Sequence, residues 1–174
     1  MMKAITWLAS ITMGVGALGA GASVAATSDA APVAEPKQPA ESVKTATLDG
    51  WSADFDKALE KAKAEKKCVL VEFTGSDWCP PCIAMRKNVF SKSEFVTAAA
   101  KNFILVEVDF PRGDKELADK NQPLLKKYKV TAFPTVILLD PAGKEFTRFF
   151  ASQFPKSEDF VKHLDEALEK KDLD

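Results

Sequence analysis

The 174-residue sequence is poor in the residues from which metal sites and disulfide scaffolds are built. It contains three cysteines and one histidine. A structural zinc site needs four ligands, and an odd number of cysteines does not suggest a disulfide framework. An excess of one charge is also missing, because the formal net charge is −1, and −2 once residues 1–25 are left out. A nearly neutral chain argues against nucleic acid as a partner and against a polybasic membrane contact.

The first 49 residues differ from the rest in composition. Lys3 precedes an apolar, Gly- and Ala-rich stretch, and small residues follow at Ser23–Ala26. We predict a secretory signal peptide at 1–25, which implies a periplasmic or secreted protein. The apolar run approaches membrane-spanning length, so an uncleaved anchor is the alternative. Residues 26–49 are rich in Pro and Ala with almost no large apolar residue, which predicts a disordered linker.

Residues 50–174 are enough for one domain with one core. Apolar, β-branched runs predict strands at 68–74, 103–109 and 135–139, and a β-turn at 140–143 leads into an antiparallel strand at 144–150. Five helices are predicted. The first is capped by Ser52, the second follows Cys82, and the third is opened by a capping box at Ser91–Glu94. The fourth ends near Tyr128 and could break at Pro123, and the fifth is capped by Ser157. Strands separated by helices predict parallel pairing, to which the late hairpin adds an antiparallel strand.

The sequence Cys79-Pro80-Pro81-Cys82 lies between the first strand and the second helix. At a helix N-terminus, unpaired N–H groups and the helix dipole favour a thiolate over a thiol. Cys79 is therefore expected to be the accessible nucleophile, and Cys82 to resolve a mixed disulfide formed on it. A structural disulfide or half of a zinc site is the alternative, but the chain offers a zinc ion only Cys68 and His163 in addition.

Two motifs together resemble the thioredoxin superfamily. Trp78-Cys79-Pro80-Pro81-Cys82, after the strand Val69–Phe73, is similar to the active site of that family, and Val130–Thr135 resembles its second signature, a cis-proline, here at Phe133-Pro134. The resemblance covers residues 50–174. It implies an α/β protein with the thioredoxin fold, a central mixed sheet with helices on both faces, and a first strand that is weak or absent, at about 43–48.

The resemblance also implies roles for individual residues. Glu72 stands where the family has a buried acid that relays the proton of the second cysteine, whereas a carboxylate that reaches solvent is the alternative. A cis bond before Pro134 would turn the backbone of Phe133 outward to hold an extended substrate segment. Trp78 would shield the dithiol and border that groove, or be an ordinary core residue. Cys68 is interpreted as a buried structural thiol.

The function implied is that of a monomeric thiol–disulfide oxidoreductase acting on protein disulfides or dithiols. It would need no cofactor, because the dithiol carries the electrons, and a membrane or soluble redox partner would reset it. Pro80-Pro81 is neither the Gly-Pro spacer of reducing members nor the His-containing spacer of strong oxidants, which implies a moderately lowered thiol pKa. The direction of electron flow stays open. The rivals are a soft-metal carrier that uses the two thiolates, with Met85 nearby, and a redox-silent interaction domain.

Overall fold

Four strands form the central sheet of the protein. In the computed structural model, which describes residues 46–173, they are β1 (Cys68–Thr74), β2 (Phe103–Asp109), β3 (Thr135–Leu139) and β4 (Glu145–Phe150). Their spatial order is β2-β1-β3-β4. The pair β1–β2 is parallel, and β1–β3 and β3–β4 are antiparallel. The predicted strand positions are confirmed, but the predicted parallel pairing is wrong for β3, which runs against β1 although a helix precedes it.

Helices cover both faces of this sheet, as expected. They are α1 (Phe55–Glu65), α2 (Pro80–Met85), a π-helix (Arg86–Phe90), α3 (Ser93–Ala99), α4 (Lys115–Lys127), a 3₁₀ turn (Ala151–Gln153) and α5 (Ser157–Leu173). Side chains of α2, the π-helix, α3 and α5 bury one face, which we call the dithiol face. Side chains of α1 and α4 bury the other. The strands β1, β2 and β3 are consequently buried along their whole length.

Two predicted helix caps are wrong. The cap of α1 is Asp54, whose Oδ1 accepts a hydrogen bond from the N–H of Lys57 at 3.1 Å. Ser52 cannot take that place because its backbone pairs with β2, accepting from the N–H of Glu107 at 2.9 Å. The residue before α3 is Lys92, which makes no side-chain cap, so the capping-box pattern there does not form a box. At Ser52, pairing with a distant strand overrides the local pattern.

Helix α4 runs without interruption through Pro123. A proline inside a helix removes one backbone hydrogen bond and crowds the preceding turn. The turn that precedes Pro123 is anchored independently, since Nδ2 of Asn121 donates to the carbonyl of Asp109 at 2.7 Å. After the proline, Leu124 and Leu125 pack against the sheet. Tertiary contacts therefore keep the helix continuous where local propensity favours a break.

The N-terminal predictions fall mostly outside the described residues. The signal peptide at 1–25, and all but the last few residues of the linker, lie outside 46–173. Of the weak first strand at about 43–48, residues 46–48 are described and are not a strand. Instead, a single bridge joins Ser52 to Val106 beside β2. Within the described part of the chain, no helix has the length and apolar character needed to cross a membrane.

Candidate active site

The two cysteines of the Cys-x-x-Cys motif form a disulfide at the start of α2. Their Cα atoms are 5.2 Å apart. Cys79 is the residue before the helix, and its N–H donates to the carbonyl of Gly75 at 3.0 Å, so a tight turn fixes its position. Pro80 opens the helix, where its missing N–H has no partner to lose. The sequence thus places both cysteines at the N-terminus of α2, after the turn that follows β1.

The disulfide is closely covered by its surroundings. Cys79 is 4% exposed and Cys82 is 0% exposed. Cys79 is the more exposed of the two, but it is buried, whereas the sequence predicts an accessible nucleophile. Apolar side chains that reach solvent surround it on α2, namely Pro80, Pro81, Ile83 and Ala84. The dithiol therefore lies beneath the surface and next to an exposed apolar rim.

Trp78 and Phe133 meet beside the dithiol. Their rings are in edge contact with centroids 5.9 Å apart, and Phe133 also stacks on Phe110 at 5.3 Å. The Phe133–Pro134 peptide bond is cis. Pro134 is buried, and its carbonyl accepts from Ala151 in the 3₁₀ turn, which contacts α2. The predicted second motif is thus brought to the helix that carries the cysteines.

Glu72 is the buried acid of β1. It is 1% exposed and shares its strand face with Leu70, which packs in the same cluster as Met85 of α2, so its carboxyl lies on the dithiol face. Its Oε1 makes no hydrogen bond within the described residues. Burial, and after it the neighbouring Glu107 carboxyl, raise the pKa of Glu72 well above its ordinary value. A protonated carboxyl inside the protein is what an acid–base role needs.

Several polar contacts around the motif could not be predicted from the sequence. Both carboxylate oxygens of Asp77 accept backbone N–H bonds, from Arg112 at 2.9 Å and Gly113 at 2.8 Å. Nε1 of Trp78 donates to the carbonyl of Phe110 at 2.7 Å. The guanidinium of Arg112 lies 4.7 Å from the centroid of the Trp78 ring. These contacts lock the loop before Cys79 to the loop 110–114. The only sequence signal was Asp77 itself, directly before the Trp-Cys pair.

Gly75 is required by the packing of Trp78. A Cβ atom on Gly75 would lie 2.6 Å from Cε2 of that ring, closer than any ordinary contact. Next to it, the N–H and hydroxyl of Ser76 both donate to the carboxylate of Asp109 at the end of β2. The turn before the cysteines is therefore fixed from both sides.

The soft-metal alternative concerns three further side chains, those of Cys68, Met85 and His163. Cys68, at the start of β1, is a free, buried thiol, and burial raises its pKa. Met85 is 3% exposed and packs in the core, so its sulfur does not face a ligand at the surface. His163 is half-buried against the rings of Phe149 and Phe154. Among the described residues, no group of three or more His, Cys, Asp and Glu side chains could hold a metal ion.

Fold and site together define a dithiol–disulfide centre on a thioredoxin fold. The sequence model of a family described as thioredoxin-like matches residues 50–141. The chain belongs to this thioredoxin-like family.

Individual relatives agree with this assignment. Over 101 residues the chain is 41% identical to the disulfide bond reductase DsbH of Chlamydia pneumoniae, a match that covers 56% of this chain and 60% of that protein. It is 34% identical over 101 residues to the thioredoxin-related protein DsbJ of the same organism, covering 56% of this chain and 29% of the relative. The chain thus spans less than two thirds of the length of these curated relatives. A solved structure of a DsbH oxidoreductase superimposes with a TM-score of 0.62 at 34% identity, covering 78% of this chain and 94% of that one.

Proposed function

We propose that this protein is an exported thiol–disulfide oxidoreductase that exchanges disulfides with protein substrates through Cys79 and Cys82. The observation that carries the proposal is the disulfide at the N-terminus of α2, in which Cys79 is 4% exposed and Cys82 is fully buried. The direction we propose is reduction of the substrate, which the name of the DsbH relative supports. The substrate is a protein disulfide, and a separate redox partner returns the dithiol to its reduced state.

The first step is attack by the Cys79 thiolate on one sulfur of the substrate disulfide. The substrate S–S bond breaks, its other sulfur leaves as a thiolate, and a mixed disulfide joins Cys79 to the substrate. The extended substrate segment lies against the backbone of Phe133, next to the cis-proline, with main-chain hydrogen bonds holding it. Trp78 and the exposed apolar side chains of α2 border this groove.

The second step is attack by Cys82 on the sulfur of Cys79. It restores the Cys79–Cys82 disulfide and releases the second substrate sulfur, so that two electrons have passed from the protein to the substrate. Cys82 is fully buried, and its thiol must lose a proton before it can attack. Glu72, in its ionised form, accepts that proton. Its burial on the dithiol face supports this role.

The cysteine roles are tested with single serine variants. Cys79→Ser removes the nucleophile and should abolish exchange with a disulfide-containing test protein. Cys82→Ser should instead accumulate mixed disulfides through Cys79, because no resolving thiol remains. Intact-protein mass spectrometry after brief incubation distinguishes the two results. Cys68→Ser is the matched control, since it removes a thiol that lies outside the site, and it should behave like the wild type. Near wild-type exchange by Cys79→Ser would overturn the assignment.

Export and direction need their own measurements. The apolar N-terminus supports an exported protein with a cleaved signal and a linker at 26–49. N-terminal sequencing of protein recovered from the cell envelope should start after Ala25 or Ala26, whereas a start at Met1 would indicate the uncleaved anchor. Equilibration with glutathione buffers measures the potential of the dithiol. A potential below that of glutathione supports reduction of the substrate, and one well above it would reverse the proposed direction.

A further inference from the structure

A second buried carboxyl lies beside Glu72. Glu107 is the register partner of Glu72 across the parallel strands β1 and β2. It is 6% exposed, and it lies on the dithiol face with Phe103 and Leu105 of the same strand. Side chains opposite each other on one face of a sheet are close neighbours, and two like charges there are unfavourable. The pair therefore cannot hold two negative charges without a strong penalty.

The two carboxyls differ in their partners. Glu107 forms an ion pair with Arg86, whose Nη1 donates to Oε1 of the carboxylate. Arg86 in turn donates to the carbonyl of Ala46. For Glu72, in contrast, no ion pair is found within the described residues, and its Oε1 has no hydrogen-bond partner there. A buried charge needs hydrogen bonds and a counter-ion, whereas a neutral carboxyl needs far less. The partners thus favour the charge on Glu107.

The remaining charged groups near Glu72 fit this arrangement. Asp109 lies two residues beyond Glu107 on the same strand, and its carboxylate is occupied by the N–H and hydroxyl of Ser76. Burial raises the pKa of Glu107, and Arg86 opposes that rise. For Glu72, burial and the Glu107 carboxyl raise the pKa, Thr74 and Arg86 lower it, and Asp109 raises it. Glu107 therefore ionises before Glu72 as pH increases.

We propose that Glu107 and Arg86 are positioning residues for thiol–disulfide exchange, whose ion pair confines negative charge to Glu107 and thereby keeps a transferable proton on Glu72. The proposal rests on the proposed role of Glu72 in proton transfer to and from Cys82. Arg86 is the first residue of the π-helix, directly after α2. The same ion pair consequently ties the end of the dithiol helix to β2. An electrostatic role and an anchoring role must be told apart by the test.

The test follows the titration of the Glu72 carboxyl in the oxidised protein by carbon-13 NMR. Glu107→Gln keeps the shape of the side chain and removes its charge. We expect the titration midpoint of Glu72 to fall by about one pH unit or more, because a like charge is lost and Arg86 no longer has its own counter-ion. Arg86→Lys keeps the cation and should leave the midpoint within about half a unit. Glu60→Gln, an exposed change on α1, should leave it unchanged.

A double variant keeps the test decisive if Glu107→Gln does not fold. Glu107→Gln with Arg86→Met removes both charges, so that neither is left buried without its partner. Because Glu107 lies directly opposite Glu72 across the two strands, the loss of its charge should outweigh the loss of Arg86, so the midpoint should still fall, though by less. An unchanged or higher Glu72 midpoint in a folded Glu107→Gln protein, or in the double variant, would overturn the proposal and leave the ion pair as an anchor only.

Stopped-flow kinetics separates this proposal from the role of Glu72 in the reaction. The pH profile of the resolution step by Cys82 is measured for the wild type, Glu107→Gln and Arg86→Lys. A profile that shifts together with the Glu72 midpoint supports both the charge assignment and the proton transfer. A midpoint that shifts under an unchanged profile supports the charge assignment and removes Glu72 from the mechanism.

Discussion

Glu72→Gln tests the protonation state of the buried acid through protein stability. The change replaces a fully buried carboxyl by a neutral amide of nearly the same shape. Burial, reinforced by the neighbouring Glu107 carboxyl, raises the pKa of Glu72 well above its ordinary value. An acid whose pKa is higher in the native state than in the unfolded chain contributes stability that is fully present below the pKa of the unfolded chain. That stability is lost as the pH rises through the native pKa.

The size of the effect follows from proton counting. Above the pKa of an unperturbed Glu, about 4.3, the unfolded chain has released the proton that native Glu72 still holds. Throughout this window the free energy of unfolding falls by up to about 1.4 kcal/mol per pH unit for this one group. Glu72→Gln has no proton to release, so its stability lacks this slope. Glu107 is present in both proteins, and its contribution largely cancels in the difference.

The assay is urea unfolding of the oxidised protein from about pH 5 to pH 8, the range over which most proteins are at their most stable. The Cys79–Cys82 disulfide stays intact in both states, so that only the fold is lost. We expect the wild type to lose stability relative to Glu72→Gln as the pH rises. Glu60→Gln, an exposed change on α1, should run parallel to the wild type. Parallel curves for wild type and Glu72→Gln would refute the reasoning, because they would mean that native Glu72 releases its proton as readily as an unfolded glutamate.

Two further predictions concern the surroundings of the site. When the reduced native protein is alkylated, Cys79 should react and Cys68 should not, since burial raises the pKa of Cys68 and blocks access to it. The variant Cys68→Ala should keep exchange activity at a stability cost of about 1 kcal/mol. Rapid native labelling of Cys68, read by peptide mass spectrometry, would contradict this. Asp77→Ala should free the N–H groups of Arg112 and Gly113 and speed their hydrogen exchange by about tenfold, as expected for one hydrogen bond of roughly 1.4 kcal/mol. Unchanged exchange at both amides would show that the loop is held by other contacts.

The strands and the dithiol motif could be predicted because their signals are local. The runs Cys68–Thr74 and Phe103–Asp109 are continuous, apolar and β-branched, and strands buried on both faces have that pattern. Their bounds in the structure are the predicted ones. The position of the Cys79 motif in the fold could be predicted because a strand, a short turn and a helix follow each other directly in the sequence. Local sequence and final structure agree wherever no distant residue competes for the same backbone groups.

The contacts around the dithiol could not be predicted because they depend on register between distant segments. The pairing of Glu72 with Glu107 requires that β1 and β2 align in parallel at one particular offset. From sequence alone, Glu107 is one polar residue in an apolar strand, and Arg86 is one cation in the helix predicted after Cys82, with no sign that it tunes the site. The prediction of Ser52 as a helix cap failed for the same reason, since its backbone N–H and carbonyl are hydrogen-bonded to β2. Long-range pairing thus determines the electrostatics of the site, whereas short-range pattern determines its scaffold.

The residues near Cys79 differ in what a substrate would have to displace. Trp78 is held by its bond to Phe110, and Asp77 binds the backbone of the loop 110–114. Moving these side chains would leave N–H donors without partners, at a cost of about 1 to 3 kcal/mol for each donor that stays buried. Ile83 and Ala132 are exposed and apolar, so contact with them would release water and break no side-chain hydrogen bond. Under the proposed function, a substrate segment that lies across α2 and the residues before the cis-proline would therefore reach the dithiol at a lower cost than one that displaces Trp78.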